Sequence, residues 1–127
     1  MRYVERCHDY KIHPLIRLQI GEDNIFLFGN LAEDVEEIRH QHTYQGVEID
    51  DTLQKVFDAI NNDVFGYKDE FQALINTVVN HDHWLTSADF VSYCKTQDSI
   101  DEAFKDQEGW LHKTILSVAR MGFFSSE

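Results

Sequence analysis

The spacing of the apolar residues changes at Gly29, and this change limits what the chain can fold into. Before it, Ile25–Phe28 is a continuous apolar run, which is typical of a strand with both sheet faces covered. After it, apolar residues recur every three or four positions, the spacing of helices that pack on one side. The sequence therefore predicts a mainly α fold of about five amphipathic helices with one short strand at Ile25–Phe28.

The predicted strand needs neighbours in a sheet. Ile16–Ile20 alternates apolar and polar residues with a period of two, and it is the segment whose pattern predicts a second strand. A two-stranded hairpin through Gly21–Asn24 is marginal on its own. We therefore expect the other sheet partners to lie in sequence that this chain lacks.

Five segments after Gly29 carry helical signals. Their apolar stripes are Leu31, Val35 and Ile38; Leu53, Val56, Phe57 and Ile60; Phe71, Leu74, Ile75 and Val78; Phe90, Tyr93, Ile100 and Phe104; and Trp110, Leu111, Ile115, Val118 and Ala119. The predicted N-caps are Asn30 for the first helix and either Thr86 or Ser87 for the fourth, and Asp50 and Asp51 precede the second stripe. The pattern leaves open whether 99–105 continues the fourth helix or starts another. Gly122 is predicted as a left-handed C-cap of the last helix.

Charge is distributed unevenly along the 127 residues, whose formal net charge is −12. Residues 1–20 carry four basic and two acidic side chains, against seven basic and twenty-one acidic side chains in 21–127. We interpret 1–19 as foreign to the rest, either non-native or disordered, and 20–127 as one domain. The acidic balance argues against a nucleic-acid partner, since such binding depends on clustered Lys and Arg.

Targeting signals and membrane spans are missing from the sequence pattern. No apolar run approaches the roughly 20 residues that cross a bilayer. Charged side chains interrupt the candidate signal region near the N-terminus. The two cysteines, Cys7 and Cys94, are too far apart in sequence to indicate a disulfide framework. The sequence therefore predicts a cytoplasmic protein with no membrane partner.

Two histidine pairs, His40 with His42 and His81 with His83, are the first candidates for a metal site. Residues two apart on a helix point to nearly opposite sides, whereas helical metal ligands are three or four apart. The sequence also offers no cysteine cluster to complete such a site. We interpret these histidines as solvated residues at helix ends and predict no metal site.

Three other patterns are weak candidates for chemistry. The segment Asn61–Gln72 has calcium-loop residues at its first, third and sixth positions. However, Phe65 occupies the fifth ligand position, and Gln72 occupies the twelfth, where a bidentate Glu is required. The acidic pairs Glu36-Glu37 and Asp50-Asp51 cannot face each other across a sugar, as glycosidase carboxylates do. Cys7-His8 and Cys94 lack a motif for a nucleophile. A helix turn, solvated acids and inert thiols explain these residues.

Aromatic residues could form a platform for stacking on sugar rings. The candidates are Phe71, Trp84, Phe90, Tyr93, Phe104 and Trp110. Their helical spacing favours packing in a core. The residues by themselves therefore predict no catalytic, cofactor-binding or metal-binding site.

Residues 20–126 resemble the C-terminal stretch of the α-1,4-glucan (glycogen) phosphorylases. The resemblance rests on Ile20–Gly29, on His81-Asp82, on Ala88-Asp89-Phe90 with Tyr93, on Trp110, and on Ser117–Ala119 followed by Gly122–Ser126. It implies a fragment of the C-terminal α/β domain of a two-domain glycosyltransferase fold. Enzymes of that family use phosphate to cleave glucan chains such as glycogen, and they release glucose 1-phosphate.

The resemblance also implies pyridoxal phosphate as the family cofactor, held by a lysine in a Gly-rich segment upstream of the matching stretch. Lys11 is the single lysine before that stretch, and its surroundings, Cys7–His13, contain none of the family motif. No catalytic residue is therefore carried over from the family. We expect the chain alone to be inactive in phosphorolysis, because the cofactor segment and the family's last helix are absent.

Two further interpretations stay open at this point. The chain could be a non-catalytic interaction module that docks on a phosphorylase subunit or another protein through exposed helix faces, either Leu31-Val35-Ile38 or Phe71-Leu74-Ile75-Val78. Alternatively it could be a truncated product of a longer coding sequence. The first alternative predicts a stable protein partner, and the second predicts that no protein of this size accumulates.

Overall fold

Helices make up most of the chain. The computed structural model describes residues 4–6 and 13–124, with the side chains of residues 17–122. The elements in chain order are β1 (Val4–Arg6), α1 (His13–Ile20), β2 (Phe26–Phe28), α2 (Val35–Gln45), α3 (Asp51–Asn61), α4 (Lys68–His81), α5 (Thr86–Lys105) and α6 (Gln107–Arg120). Short 3-10 turns cover Glu22–Asn24, Ala32–Asp34 and Met121–Phe124. The predicted mainly helical fold is confirmed.

The predicted apolar strand is present as β2, but its neighbour differs from the prediction. β1 pairs with β2 in parallel, with Val4 opposite Phe26. Ile16–Ile20, predicted as a strand, instead lies within α1. Leu18 is 77% exposed while Ile20 is fully buried, whereas in a strand residues two apart would share a face. Five alternating residues also contain the four-residue spacing of a helix, so the pattern alone was ambiguous.

The described chain packs as two compact units. The terminal unit combines the residues up to Ala32 with those from Ser92 onward, and the central unit is Glu33–Val91. The boundary between them falls within α5. The boundary predicted at residue 20 differs from both boundaries between these units, which lie after Ala32 and after Val91. The assignment of 1–19 and 20–127 as separate parts stays a prediction.

The core of the central unit lies between α3 and α4. Leu53, Phe57 and Ile75 are buried there. The residues that pack partly buried against them are Ile49, Ile60, Val78 and Phe90. Full burial of each large apolar side chain stabilises the fold by about 1.5–3 kcal/mol. The apolar stripes predicted for these two helices face the core only in part, because Val56, Phe71 and Leu74 are 43%, 37% and 63% exposed.

The core of the terminal unit is smaller. Ile20 and Ile25 are buried, and Leu27 and Met121 pack partly buried against them. Ile100, on the part of α5 that belongs to this unit, is fully buried. The C-terminal half of α5 thus has its own buried anchor.

Two predicted helix ends are wrong, and one open boundary is settled. α2 begins at Val35 after a 3-10 turn, so Asp34 rather than Asn30 occupies its N-cap position. Gly122 continues into the 3-10 turn Met121–Phe124 without the positive φ of a left-handed cap. α5 is one continuous helix of 20 residues that includes 99–105.

Among residues 13–124, none of the helices combines the length and apolar character that crossing a bilayer requires.

Candidate functional site

Asp82, in the His81-Asp82 pair of the resemblance, is a buried acidic side chain in the central unit. Its Oδ1 accepts the backbone N–H of Thr86 at 2.6 Å, and its Oδ2 accepts those of Ser87 at 2.8 Å and Ala88 at 3.2 Å. The residue is 1% exposed. A carboxylate at a helix N-terminus satisfies N–H groups that lack partners within the helix. Asp82 therefore caps α5.

The same residue also ends the preceding helix. Asp82 has a left-handed backbone with φ of 36° and donates its N–H to the carbonyls of Thr77 and Val78 in the last turn of α4. Its own carbonyl accepts the N–H of Leu85 at 2.8 Å. Ser87 then ties the start of α5 to the segment before α3, because its hydroxyl donates to the carbonyl of Glu48. This cluster, which we call the Asp82 junction, joins α4 to α5.

Sequence reasoning placed the α5 cap on Thr86 or Ser87, and the structure corrects this. Thr86 is the first residue of the helix, and the cap lies four residues earlier. Hydroxyl residues at a helix start are the usual N-cap signal, so the prediction chose Thr86 or Ser87 instead of Asp82. The available signal was an acidic residue in a polar break just ahead of the helix.

In the terminal unit, two hydroxyls of α5 hold the strand β2. Ser92 Oγ accepts the backbone N–H of Gly29 at 3.0 Å, and Thr96 Oγ1 donates to the carbonyl of Leu27 at 3.1 Å. Ser92 and Thr96 are four residues apart and share a helix face. Leu27 and Gly29 are two residues apart and present their backbone groups to the same strand edge. We call this arrangement the β2 anchor.

Aromatic rings surround the same strand. Trp110 stacks on Phe26 at a centroid distance of 6.1 Å and meets Phe104 edge-on at 5.2 Å. Phe28 meets Tyr93 edge-on at 5.2 Å. The rings therefore contact one another, and such pairs add about 0.5–1.5 kcal/mol beyond burial. These rings pack against partners, but Tyr93 is 40% and Phe104 is 43% exposed, so the prediction of core packing is wrong for these two residues.

The other aromatic candidates lie in the central unit and differ from one another. Phe90 packs against the core of Leu53, Phe57 and Ile75. Phe71 is 37% exposed and Trp84 is 64% exposed, so neither is a core residue. Trp84 meets the ring of His83 edge-on. The prediction of core packing is thus right for Phe90 and wrong for Phe71 and Trp84.

The turn before β2 is held by two cations of α6. Lys113 donates to the carbonyl of Asp23, and Arg120 donates to that of Ile20 at 3.4 Å. Asn24 adds a second hydrogen bond to Ile20, at 2.7 Å. These contacts satisfy backbone carbonyls of the Gly21–Asn24 segment, which belongs to the resemblance. Their role in the described structure is to fix a turn.

The histidine pairs are not brought together as ligands. His40 packs its ring against Tyr44 at 4.5 Å, and His81 is the exposed last residue of α4. His83 accepts a hydrogen bond from Arg39 through its backbone carbonyl. No group of three potential metal ligands among His, Cys, Asp and Glu occurs in the described part of the chain.

The remaining candidate residues have ordinary local roles. Glu36 pairs with Arg39, and the Asp50 carboxylate caps α3 by accepting the Thr52 N–H at 2.7 Å.

The calcium-like segment consists of a helix end and a turn. Asn61 is the last residue of α3, Gly66 lies in a turn with φ of 71°, and Gln72 donates to Asn76 within α4. Cys94 is a free, half-buried thiol, whereas Cys7, His8 and Lys11 lie outside the described residues. Helix caps and a turn account for the acidic pairs and the calcium-like segment.

The helix faces predicted for docking are largely used inside the central unit. Ile75 is buried and Val78 packs beside it, while Val35 and Ile38 are half-buried. Leu31 and Leu74 are exposed. The most exposed apolar face lies instead on α6, where Leu111, Ile115 and Val118 are 57–71% exposed. Sequence reasoning missed this face because it assigned these residues to a core-facing stripe.

Residues 15–127 match the family model described as carbohydrate phosphorylase. The match covers most of the chain, so the chain belongs to the carbohydrate phosphorylases, a family of enzymes that act on glucans. The family match begins five residues before the resemblance read from the sequence. The architecture agrees with this assignment, since parallel strands flanked by helices are typical of an α/β domain.

Similar proteins carry the same family name. The chain is 43% identical over 116 residues to a glycogen phosphorylase of Saccharomyces cerevisiae, and the match covers 88% of the chain and 13% of the relative. It is 38% identical over 112 residues to a glycogen phosphorylase of Haemophilus influenzae, covering 85% and 14%. An Arabidopsis thaliana relative named α-glucan phosphorylase 2, cytosolic, is 35% identical over 118 residues, covering 88% and 14%. The chain thus spans about one seventh of the length of these relatives.

Proposed function

We propose that these residues serve in an α-1,4-glucan phosphorylase that cleaves glycogen with phosphate and releases glucose 1-phosphate. Within that enzyme they form a structural segment that contributes no catalytic residue. Glucan and phosphate are then the substrates of the whole enzyme, and its compartment is the cytoplasm. The family match and the name of the Arabidopsis relative support this assignment.

The Asp82 junction is the observation that carries the structural role. Both oxygens of this buried carboxylate accept backbone N–H groups. A general acid or base must reach a proton on the substrate within hydrogen-bonding distance. Asp82 is 1% exposed, and its carboxylate instead binds backbone N–H groups at the start of α5. This buried acidic residue of the resemblance thus supports the fold.

Pyridoxal phosphate is the cofactor that we propose for the whole enzyme, but the described lysines do not fit a role in holding it. A Schiff base needs a lysine in a pocket around the cofactor. Lys113 binds the Asp23 carbonyl and Lys105 pairs with Glu102. Lys55, Lys68 and Lys95 are exposed on helices. We therefore propose that the lysine that holds the cofactor lies outside the described residues.

Two polypeptides test this proposal. The first is the 127-residue chain, incubated with glycogen, phosphate and pyridoxal phosphate; we expect no glucose 1-phosphate. The second is the S. cerevisiae glycogen phosphorylase with its matching stretch replaced by residues 15–127, called here the yeast chimera. We expect the yeast chimera to release glucose 1-phosphate, with the unmodified yeast enzyme as control. Release by the 127-residue chain alone, or a folded but inactive chimera, would contradict the proposal.

A further inference from the structure

The apolar side chains of Leu111, Ile115 and Val118 form an exposed stripe along α6, called here the α6 stripe. Their exposed fractions are 58%, 57% and 71%. Spacings of four and three residues place them on one helix face. A helix face that lies against water normally carries polar side chains, so the stripe is unusual for a surface.

The stripe is distinct from the face that α6 already uses. Lys113 and Arg120 bind carbonyls of the turn before β2, and Trp110 stacks on Phe26. At 3.6 residues per turn, the centre of the α6 stripe lies about 0.4 of a turn away from that packed face. α6 is thus packed on one side and apolar on a second. Such a helix is typical of the interior of a larger protein.

The described sheet points to the same conclusion. β1 and β2 are parallel and three residues long each. Parallel sheets occur almost always with both faces covered by helices, and two short strands do not form a stable sheet alone. The terminal unit therefore has the features of one part of a larger α/β layer.

We propose that the α6 stripe is an interface with the part of the phosphorylase polypeptide that lies outside these 127 residues. This rests on the proposed function. The comparison with the yeast enzyme indicates what covers the stripe. The match covers 13% of that enzyme, so most of its polypeptide lies outside the matched stretch and could pack against α6. A second copy of this chain fits less well, since each copy carries a net charge of −12 and like charges oppose association.

Thiol labelling tests the interface. Ile115→Cys is introduced into the 127-residue chain and into the yeast chimera, and His112→Cys, at an exposed polar position of α6, is the matched control. A maleimide reagent is added, and the labelled fraction is read by mass spectrometry on the peptide that carries the new cysteine. We expect both thiols to react at similar rates in the 127-residue chain. In the yeast chimera, Ile115→Cys should react at least about tenfold more slowly, with the control unchanged.

Other results would overturn the inference in separate ways. Equal reaction rates of the two thiols in an active yeast chimera would show that the stripe stays exposed, and the inference alone would fail. Slow labelling of Ile115→Cys in the 127-residue chain that becomes slower with concentration would identify a second copy as the occupant. An inactive yeast chimera would remove the proposed function and this inference together.

A second variant gives a readout that does not depend on cysteine chemistry. Val118→Ser should leave the urea midpoint of the 127-residue chain unchanged, because the side chain is 71% exposed there. The same change should lower the melting temperature of the yeast chimera if the stripe is buried in the whole enzyme. Equal effects in both polypeptides, or none in the chimera, would contradict the interface.

Discussion

Ser87 donates its backbone N–H to the Oδ2 atom of Asp82 over 2.8 Å, five residues back along the chain. The donor lies in the first turn of α5, and the acceptor is the residue that ends α4. One residue thus terminates α4 through its backbone and caps α5 through its side chain.

Removing that carboxylate should destabilise the fold. In Asp82→Ala, three backbone N–H groups lose their acceptor, and a lost cap together with buried unsatisfied donors costs about 1–3 kcal/mol. Urea unfolding followed by circular dichroism measures the change in the free energy of unfolding. Asp98→Ala, an exposed position on α5, is the matched control and should change it by less than about 0.5 kcal/mol. Equal effects at the two positions would refute the capping role.

The β2 anchor makes a similar prediction for the terminal unit. Ser92→Ala combined with Thr96→Val removes the hydroxyls that bind the Gly29 N–H and the Leu27 carbonyl. Loss of two part-buried hydrogen bonds should lower the free energy of unfolding by about 1–3 kcal/mol. Ser99→Ala removes an exposed hydroxyl from the same helix and should have little effect. Amide hydrogen exchange at Gly29 should also become faster, and unchanged exchange would argue against the anchor.

A large core residue and an exposed neighbour on α3 should respond differently to truncation. Phe57 is 7% exposed, whereas Val56 beside it is 43% exposed. Phe57→Ala leaves a cavity between α3 and α4 and should cost about 3–5 kcal/mol. Val56→Ala should cost less than about 1 kcal/mol, since it removes a smaller side chain of which 43% already contacts water. Thermal unfolding of both variants checks this order, and a larger effect of Val56→Ala would mean that the described core is wrong.

Gly109 and Asp106 should be coupled at the start of α6. Asp106 caps the helix by accepting the Gly109 N–H at 3.1 Å, and a Cβ at Gly109 would lie 2.3 Å from Asp106 Oδ2. Gly109→Ala therefore displaces the cap, although alanine itself favours the helix by about 1 kcal/mol. In a double-mutant cycle, Asp106→Ala should cost about 1 kcal/mol in the native chain and close to nothing beside Gly109→Ala. Additive effects would exclude the coupling.

The family and most of the helices were readable from residue order and apolar spacing. α3 and α4 lie where their stripes predicted them, because a strong amphipathic period is a property of a short segment. The absence of a predicted catalytic or cofactor-binding residue stays a prediction. The β2 anchor could not be read in advance, because Gly29 and Ser92 are 63 residues apart.

What the sequence by itself determined was the mainly helical fold, the strand at β2 and the family. Tertiary structure decided which secondary structure forms where the local residue pattern fits both a strand and a helix. Ile16–Ile20 fits a strand or a helix by spacing, and it is a helix in which Ile20 is buried and Leu18 is exposed. Tertiary structure also decided that Asp82 caps α5 and that Ile115 lies on an uncovered face. Local spacing fixes the direction of a side chain around its own helix, but only packing against distant residues fixes whether that direction is buried.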